Sequence, residues 1–264
     1  MKTILVPTDF SPAADNAMLY AARLATTIKA SLHLVHIYQI PVSMSDVPVL
    51  LVSVEEMKNA AEKGLEKSKE LLLKNFPGTE VDYEGRLGNI SEEINSLCSD
   101  IQPMCIVVGK HGASGMERIL FGSTTLSLIK HAHCPLIAVP DKENLAPISN
   151  IALAYDGSGL NGTEHKIREF VQALHARLHV IHVQVSGKES PGIKDLLHEL
   201  TPLHQTIRNE DFVNGIEKYI HAHHIDLLIV LPHKHNIIER LFYRTHTSEV
   251  LQKVTIPIMA FPEH

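Results

Sequence analysis

The chain has 264 residues, enough at roughly 150 residues per domain for two ordinary cores and too many for a disulfide-stapled miniprotein. Apolar residues at 44% and charged residues at 20% exclude a disordered or collagen-like chain, and a net charge of -6 without a long basic run argues against duplex nucleic acid or a membrane surface as partner. Three cysteines, Cys98, Cys105 and Cys134, are odd in number and lack CxxC spacing, which fits a reduced, cytoplasmic setting.

Lys2–Val6 reads as a buried strand. Its apolar run is too short for a signal-peptide core, and no stretch approaches the roughly 18 apolar residues of a spanning helix. Ser11-Pro12 opens a helix that runs to about Lys29, with Ser as N-cap and Pro at the first helical position. Leu32–Ile37 predicts a second strand, Val54–Phe76 a helix stopped by Pro77-Gly78, and Val81–Glu84 a third strand. Asn89-Ile90-Ser91-Glu92 has the spacing of a capping box and opens a helix to about Asp100. Met104–Val108 and Leu136–Val139 are strands on either side of a helix at 124–132. Alternating strands and helices, with strands one, four and five apolar throughout, predict a parallel sheet covered on both faces.

The pattern then repeats. ILVPTDFS (4–11) matches IALAYDGS (151–158), and SLHLVHIY (31–38) matches RLHVIHVQ (177–184). MCIVVGKH (104–111) matches LLIVLPHK (227–234), and HCPLIAVP (133–140) matches TIPIMAFP (255–262). Four segments in the same order imply two copies of one domain, at 1–140 and 151–264, joined by a polar linker at 141–150. The second copy is shorter. Nearly all of the difference lies between the second-strand histidine and the fourth-strand end, His36 to Val108 against His182 to Leu231. Copy one therefore carries an extra loop, about Gln39–Ser53, whose apolar residues would suit a lid or a partner surface.

Ligands of an open parallel sheet bind beyond the carboxyl ends of the strands, where strand order reverses. Two segments leave strands there with suitable chemistry: Pro7-Thr8-Asp9, and the glycine-rich stretch from Gly109 through Gly112 to Gly122-Ser123-Thr124-Thr125. Glycines let backbone amides approach an anion, and a helix start offers free N–H groups and a positive dipole end. Read alone, the glycines could equally make a turn, Ser123 cap a helix and Asp9 shape the strand exit. The stretch is neither a Walker A loop nor GxGxxG.

Gly109, Gly112 and Gly122-Ser123 spell G-x2-G-x9-G-[ST], which resembles the nucleotide-binding motif of the ATP-binding branch of the universal stress protein family. PTDFS, LHLVHI and CPLIAVP look like that family too, and the repeat extends the likeness over nearly the whole chain, as in tandem members. The resemblance implies two Rossmann-like α/β domains, each a five-stranded parallel sheet of order 3-2-1-4-5 flanked by helices. It implies ATP or AMP as ligand, with Mg2+ or Mn2+ an accompanying option. Asp9 would contact the ribose or a metal near the phosphates, with Pro7 and Thr8 shaping its turn. Ile37 would meet the adenine, and Val108 and Gly109 would lie under the ribose and α-phosphate. Gly112, Gly122, Ser123 and Thr124 would hold the phosphates, with Thr125 adding a hydroxyl. The last strands would pair copy one with copy two, with homodimerisation left open.

Copy two departs from this motif. Pro232 and His235 stand for Gly109 and Gly112, and Arg244-Thr245 for Gly122-Ser123, although Asp156 keeps the place of Asp9. Its nucleotide site reads as lost. Residues from 151 on hold 13 of the 18 histidines, but His221, His223 and His224 precede a strand that His233 and His235 follow. A strand's length separates the groups, which opposes one tetrahedral site. No GxSxG or HExxH is present, so the expectation is a nucleotide-binding signalling module with at most slow ATP turnover. The alternatives are a scaffold acting through partner contacts and an ATP pyrophosphatase-like enzyme, the latter opposed by PTDFS where an SGGxDS-type loop would stand.

Overall fold

Apolar β-branched residues between breakers become strands, and a capped amphipathic stretch after each becomes a helix. A computed structural model describes residues 2–40, 53–110, 122–141, 146–155, 160, 162–184, 197–208, 212–231 and 255–261. In the first half the elements are β1 (Thr3–Pro7), α1 (Pro12–Ile28), β2 (Ser31–Tyr38), α2 (Val54–Asn75), β3 (Val81–Leu87), α3 (Ile90–Ile101), β4 (Cys105–Gly109), α4 (Ser123–His131) and β5 (Leu136–Val139). The second half repeats them as β6 (Asn150–Tyr155), α5 (Glu164–Leu174), β7 (Arg177–Gln184), β8 (Leu203–Arg208), α6 (Phe212–Ala222), β9 (Leu227–Val230) and β10 (Ile258–Ala260).

Local chemistry explains the helix ends. Ser11 caps α1 by accepting from the Ala14 amide, Pro12 starts it, and Lys29 ends it in the left-handed region at φ 54°. Ser53 and Glu56 close a reciprocal capping box on α2. Asn89 caps α3 by accepting from the Ser91 and Glu92 amides. Among the described residues Glu92 makes no return bond, so the expected box is a single-sided cap. β3 runs three residues past the expected end at Glu84, because it pairs with β2 residue by residue as far as Tyr38↔Leu87. Its polar residues suit an edge strand, and Arg86 binds Glu84 at 2.9 Å and Glu93 at 3.4 Å.

The strands form one ten-stranded sheet of order β3-β2-β1-β4-β5-β10-β9-β6-β7-β8. Each half has the order 3-2-1-4-5 and is parallel within itself. The halves join where β5 and β10 pair antiparallel, with Leu136 opposite Ala260 and Ala138 opposite Ile258. The two apolar last strands thus cover each other's edge. Because the junction is antiparallel, the carboxyl rims of the two halves face opposite ends of the sheet.

Strand alternation sends Ile4 and Val6 to one face and Leu5 to the other. On the first face the core runs unbroken from α1 and α2 to α5, through Met18, Leu65, Ile151 and Phe170. On the second face α3 and α4 share a core with α6, through Ile94, Leu128 and Ile216. Among the described residues no helix is long and apolar enough to cross a membrane.

Candidate nucleotide-binding site

The turn after β1 is tied at every residue. The Thr8 amide donates to the Val35 carbonyl at 2.9 Å, and the Thr8 hydroxyl accepts from the Phe10 amide at 3.0 Å. Asp9 Oδ1 accepts from the Ser11 amide at 3.0 Å, an Asx turn that leads into the α1 cap. His36 Nδ1 lies 2.8 Å from the Thr8 carbonyl, an acceptor, so this nitrogen carries the proton. Phe10 sits at φ 61°, uncommon for a non-glycine residue, with its ring 4.4 Å from that of His36. The same ring packs on Gly64 of α2, where an added Cβ would meet Phe10 Cζ at 2.5 Å.

β4 supplies the second wall. Gly109 ends it, and the Thr125 hydroxyl donates to the Gly109 carbonyl at 2.9 Å, which fixes the start of α4 against the strand. The Gly122 amide donates to the Lys110 carbonyl at 2.9 Å and closes the neck of the intervening loop. Gly122 therefore contributes through its small size and its place as N-cap, since its own N–H is engaged. No side chain caps α4. The first bond within the helix runs from Leu126 to Gly122, so the amides of Ser123, Thr124 and Thr125 have no partner among the described residues.

These two walls enclose a cavity of about 320 Å³ at the carboxyl rim of the first half. It brings together Pro7, Thr8, Asp9, Ile37, Val108, Gly109, Gly122, Ser123, Thr124 and Thr125. Gly112 lies outside the described residues, as do 41–52 of the expected lid loop and Asp156, Pro232, His233, His235, Arg244 and Thr245 of the second half. The N-termini of α1 and α4 both open on the cavity, so two helix dipoles favour an anion there. Asp15, one turn into α1, is half-buried, and burial together with the nearby Asp9 charge raises its pKa above the usual carboxylate range. Among the described residues no group of three or more His, Cys, Asp or Glu is placed to hold a metal ion.

The cavity also takes Ala14, Val35, Ile90 and Leu128, which sequence reading left out. The signal was present for Val35, because strand alternation puts it on the same face as Ile37. Ile90 comes from the first turn of α3, and only the packing of α3 beside α4 brings it in.

The comparisons with known proteins agree with this architecture. The universal stress protein family matches residues 1–140. A universal stress protein of Mycolicibacterium smegmatis is 24% identical over 283 aligned residues, spanning 97% of this chain and 95% of its own length. One from Synechocystis is 24% identical over 293, spanning 99% and 100%. Among solved structures, a universal stress protein from Archaeoglobus fulgidus superposes with a TM-score of 0.72 over 98% of this chain and 96% of its own, at 16% identity. That last likeness concerns the fold.

Proposed function

Because the chain belongs to the universal stress protein family, in its tandem two-domain form, we propose that its first half is a binding module for one adenine nucleotide, ATP or AMP. The observation that carries this reading is the pairing of one cavity with two helix N-termini, α4 keeping three first-turn amides that have no partner among the described residues. A cavity of about 320 Å³ falls at the lower end of the roughly 300–1,000 Å³ of small-molecule sites. Its apolar lining residues, Val35, Ile37 and Leu128, suit a base, and the first turn of α4, Ser123–Thr125, suits phosphate. Asp9 is close enough to Asp15 to act on it by charge, so a nucleotide-borne divalent cation there would relieve like-charge repulsion, and a ribose hydroxyl would donate a hydrogen bond to Asp9.

The role is binding and signalling. Among the described residues of the cavity lining, Asp9 is the one carboxylate that could serve as base, and no histidine or cysteine is among them. Any ATP turnover would be slow. Mg2+ or Mn2+ would arrive with the nucleotide. The functional units follow the repeat: residues 1–140 bind, 141–150 link, and 151–264 form a second unit whose ligand is open.

Calorimetric titration of the full chain with ATP and with AMP tests the reading. One site per chain is expected, lost in Gly122→Val, because a side chain at the N-cap fills the approach to the α4 amides. Two equivalent sites, or unaltered binding by the variant with its melting preserved, would overturn it.

A further inference from the structure

A larger void, of about 630 Å³, lies where the two halves meet, at the amino ends of β1, β4 and β5. α3 from the first half and α5 and β10 from the second enclose it. Its lining includes Cys98, Cys134, Lys166 and His133. The two cysteines are brought together by a clamp. Asn95 on α3 donates from Nδ2 to the His131 carbonyl at 2.9 Å, and its Oδ1 accepts from the His133 amide at 3.0 Å. Cys98 follows Asn95 by three residues, on the same helix face, and Cys134 follows His133 directly. Holding one pair therefore holds the other, and the two thiols share one void and one buried core, close enough to interact.

We propose that Cys98 and Cys134 are a reversible modification site that closes to a disulfide when a hydroperoxide enters the junction cavity. Thiols held on one void by one clamp can close without moving the backbone far, which is the main geometric condition for such a bond. Each is nearly covered by protein, at 4% and 8% exposure, yet both face the void, which gives a small oxidant a route that bulk solvent exposure would not reveal. A pair of buried thiols that only filled space would need neither the polar void nor the Asn95 clamp.

The two sulfurs have different parts. Lys166 lines the same void as Cys134, and its positive charge favours a thiolate there whether or not Cys98 is present. Cys134 is the attacking thiolate and Cys98 the resolving thiol. The Cys134 sulfur attacks the outer oxygen of the hydroperoxide, the O–O bond breaks, and an alcohol (water, for hydrogen peroxide) leaves with the proton that Cys134 had given up. Cys134 is then a sulfenic acid. The Cys98 sulfur attacks it, an S–S bond forms, and the hydroxyl departs with the Cys98 proton as water. Two thiols lose two electrons and the O–O bond takes them. Cys105 takes no part: it is fully buried in β4, outside the cavity lining, and burial pushes its thiol up.

The test uses the full reduced chain and hydrogen peroxide, with remaining thiols blocked by N-ethylmaleimide and peptides separated without reductant. Two of the three free thiols should be lost together, in one linked peptide pair containing Cys98 and Cys134, and dithiothreitol should restore them. In Cys98→Ala, Cys134 should instead be trapped as a sulfenic acid by dimedone. Linkage through Cys105 would overturn the proposal. So would persistent unlinked oxidation of Cys134 in the unaltered chain, or thiols inert at peroxide doses that oxidise the same chain in urea. The wild-type measurement stands if a variant fails to fold, and none of these outcomes depends on nucleotide binding.

Discussion

His179 is where a single side chain sets a solution property. It is 2% exposed on β7, and its Nδ1 lies 2.9 Å from the Tyr219 hydroxyl. Its Nε2 is buried with no partner among the described residues. Burial, then the neighbouring His223, then Arg177 depress its pKa, so the folded chain keeps it neutral. The unfolded chain binds the proton more readily, near the ordinary value of about 6.5. The neutral site therefore contributes its full stability above that value, and the contribution is lost as pH falls toward the folded pKa. Tyr219, whose own pKa burial raises, stays un-ionised throughout this window. Melting measured at about pH 7.5 and about pH 5.5 should fall less between the two in His179→Gln than in the unaltered chain. Parallel losses would assign the acid sensitivity to the other histidines.

At the scale of elements, the first-half rim is coupled to α2 through Phe10. β1 delivers Thr8 and Asp9 to the cavity, and the next residue turns left-handed to place its ring between His36 and Gly64. α2 therefore braces the Asp9 turn from behind, although neither Gly64 nor His36 lines the cavity. Gly64→Ala weighs two effects against each other. Alanine gains about 1 kcal/mol of helix propensity. Its Cβ, 2.5 Å from the ring, forces Phe10 aside at an overpacking cost of about 1–3 kcal/mol. Urea denaturation should show a net loss of about 1 kcal/mol, and nucleotide binding should weaken with it, because the displaced ring carries the turn. A variant more stable than the parent would mean that Phe10 swings away freely and braces nothing.

The whole molecule is held together by the β5–β10 junction and by the two cores that cross it. Met259 is 1% exposed and pairs with Ile137 at the centre of that junction. Beside it, the Lys2–Glu169 ion pair at 3.0 Å joins the halves, but with side chains 37% and 45% exposed it adds little, about 0–1 kcal/mol. Apolar continuity carries the connection, so the chain should unfold as one cooperative unit. Met259→Asp buries an unpaired charge in that seam. Scanning calorimetry should show a single endotherm for the parent and a lowered, split transition for the variant. A parent with two resolved transitions would show that the halves fold independently.

Much of this was legible in the residues. The repeat, the alternation of strands and helices and the placing of Pro7–Asp9 and the Gly109–Thr125 stretch at strand exits follow from hydrophobic period, caps and glycine spacing, which act over a few residues. The strand order within each half came instead from the resemblance to the universal stress protein family. The resemblance of CPLIAVP and TIPIMAFP to the family's last, edge strand also implied that they would pair, and the need to cover an apolar edge agrees with it. Contacts between distant segments decided the rest. That the Gly122 amide is spent on Lys110, that Phe10 rests on Gly64, and that Ile90 reaches the cavity all depend on how α2, α3 and α4 settle on the sheet. Likewise, the three cysteines, unpatterned along the chain, become a pair sharing one void and a bystander because Asn95 ties α3 to the entry to β5. Sequence spacing carries no information about such approaches, because they are set by packing between elements and not by the period of any one of them.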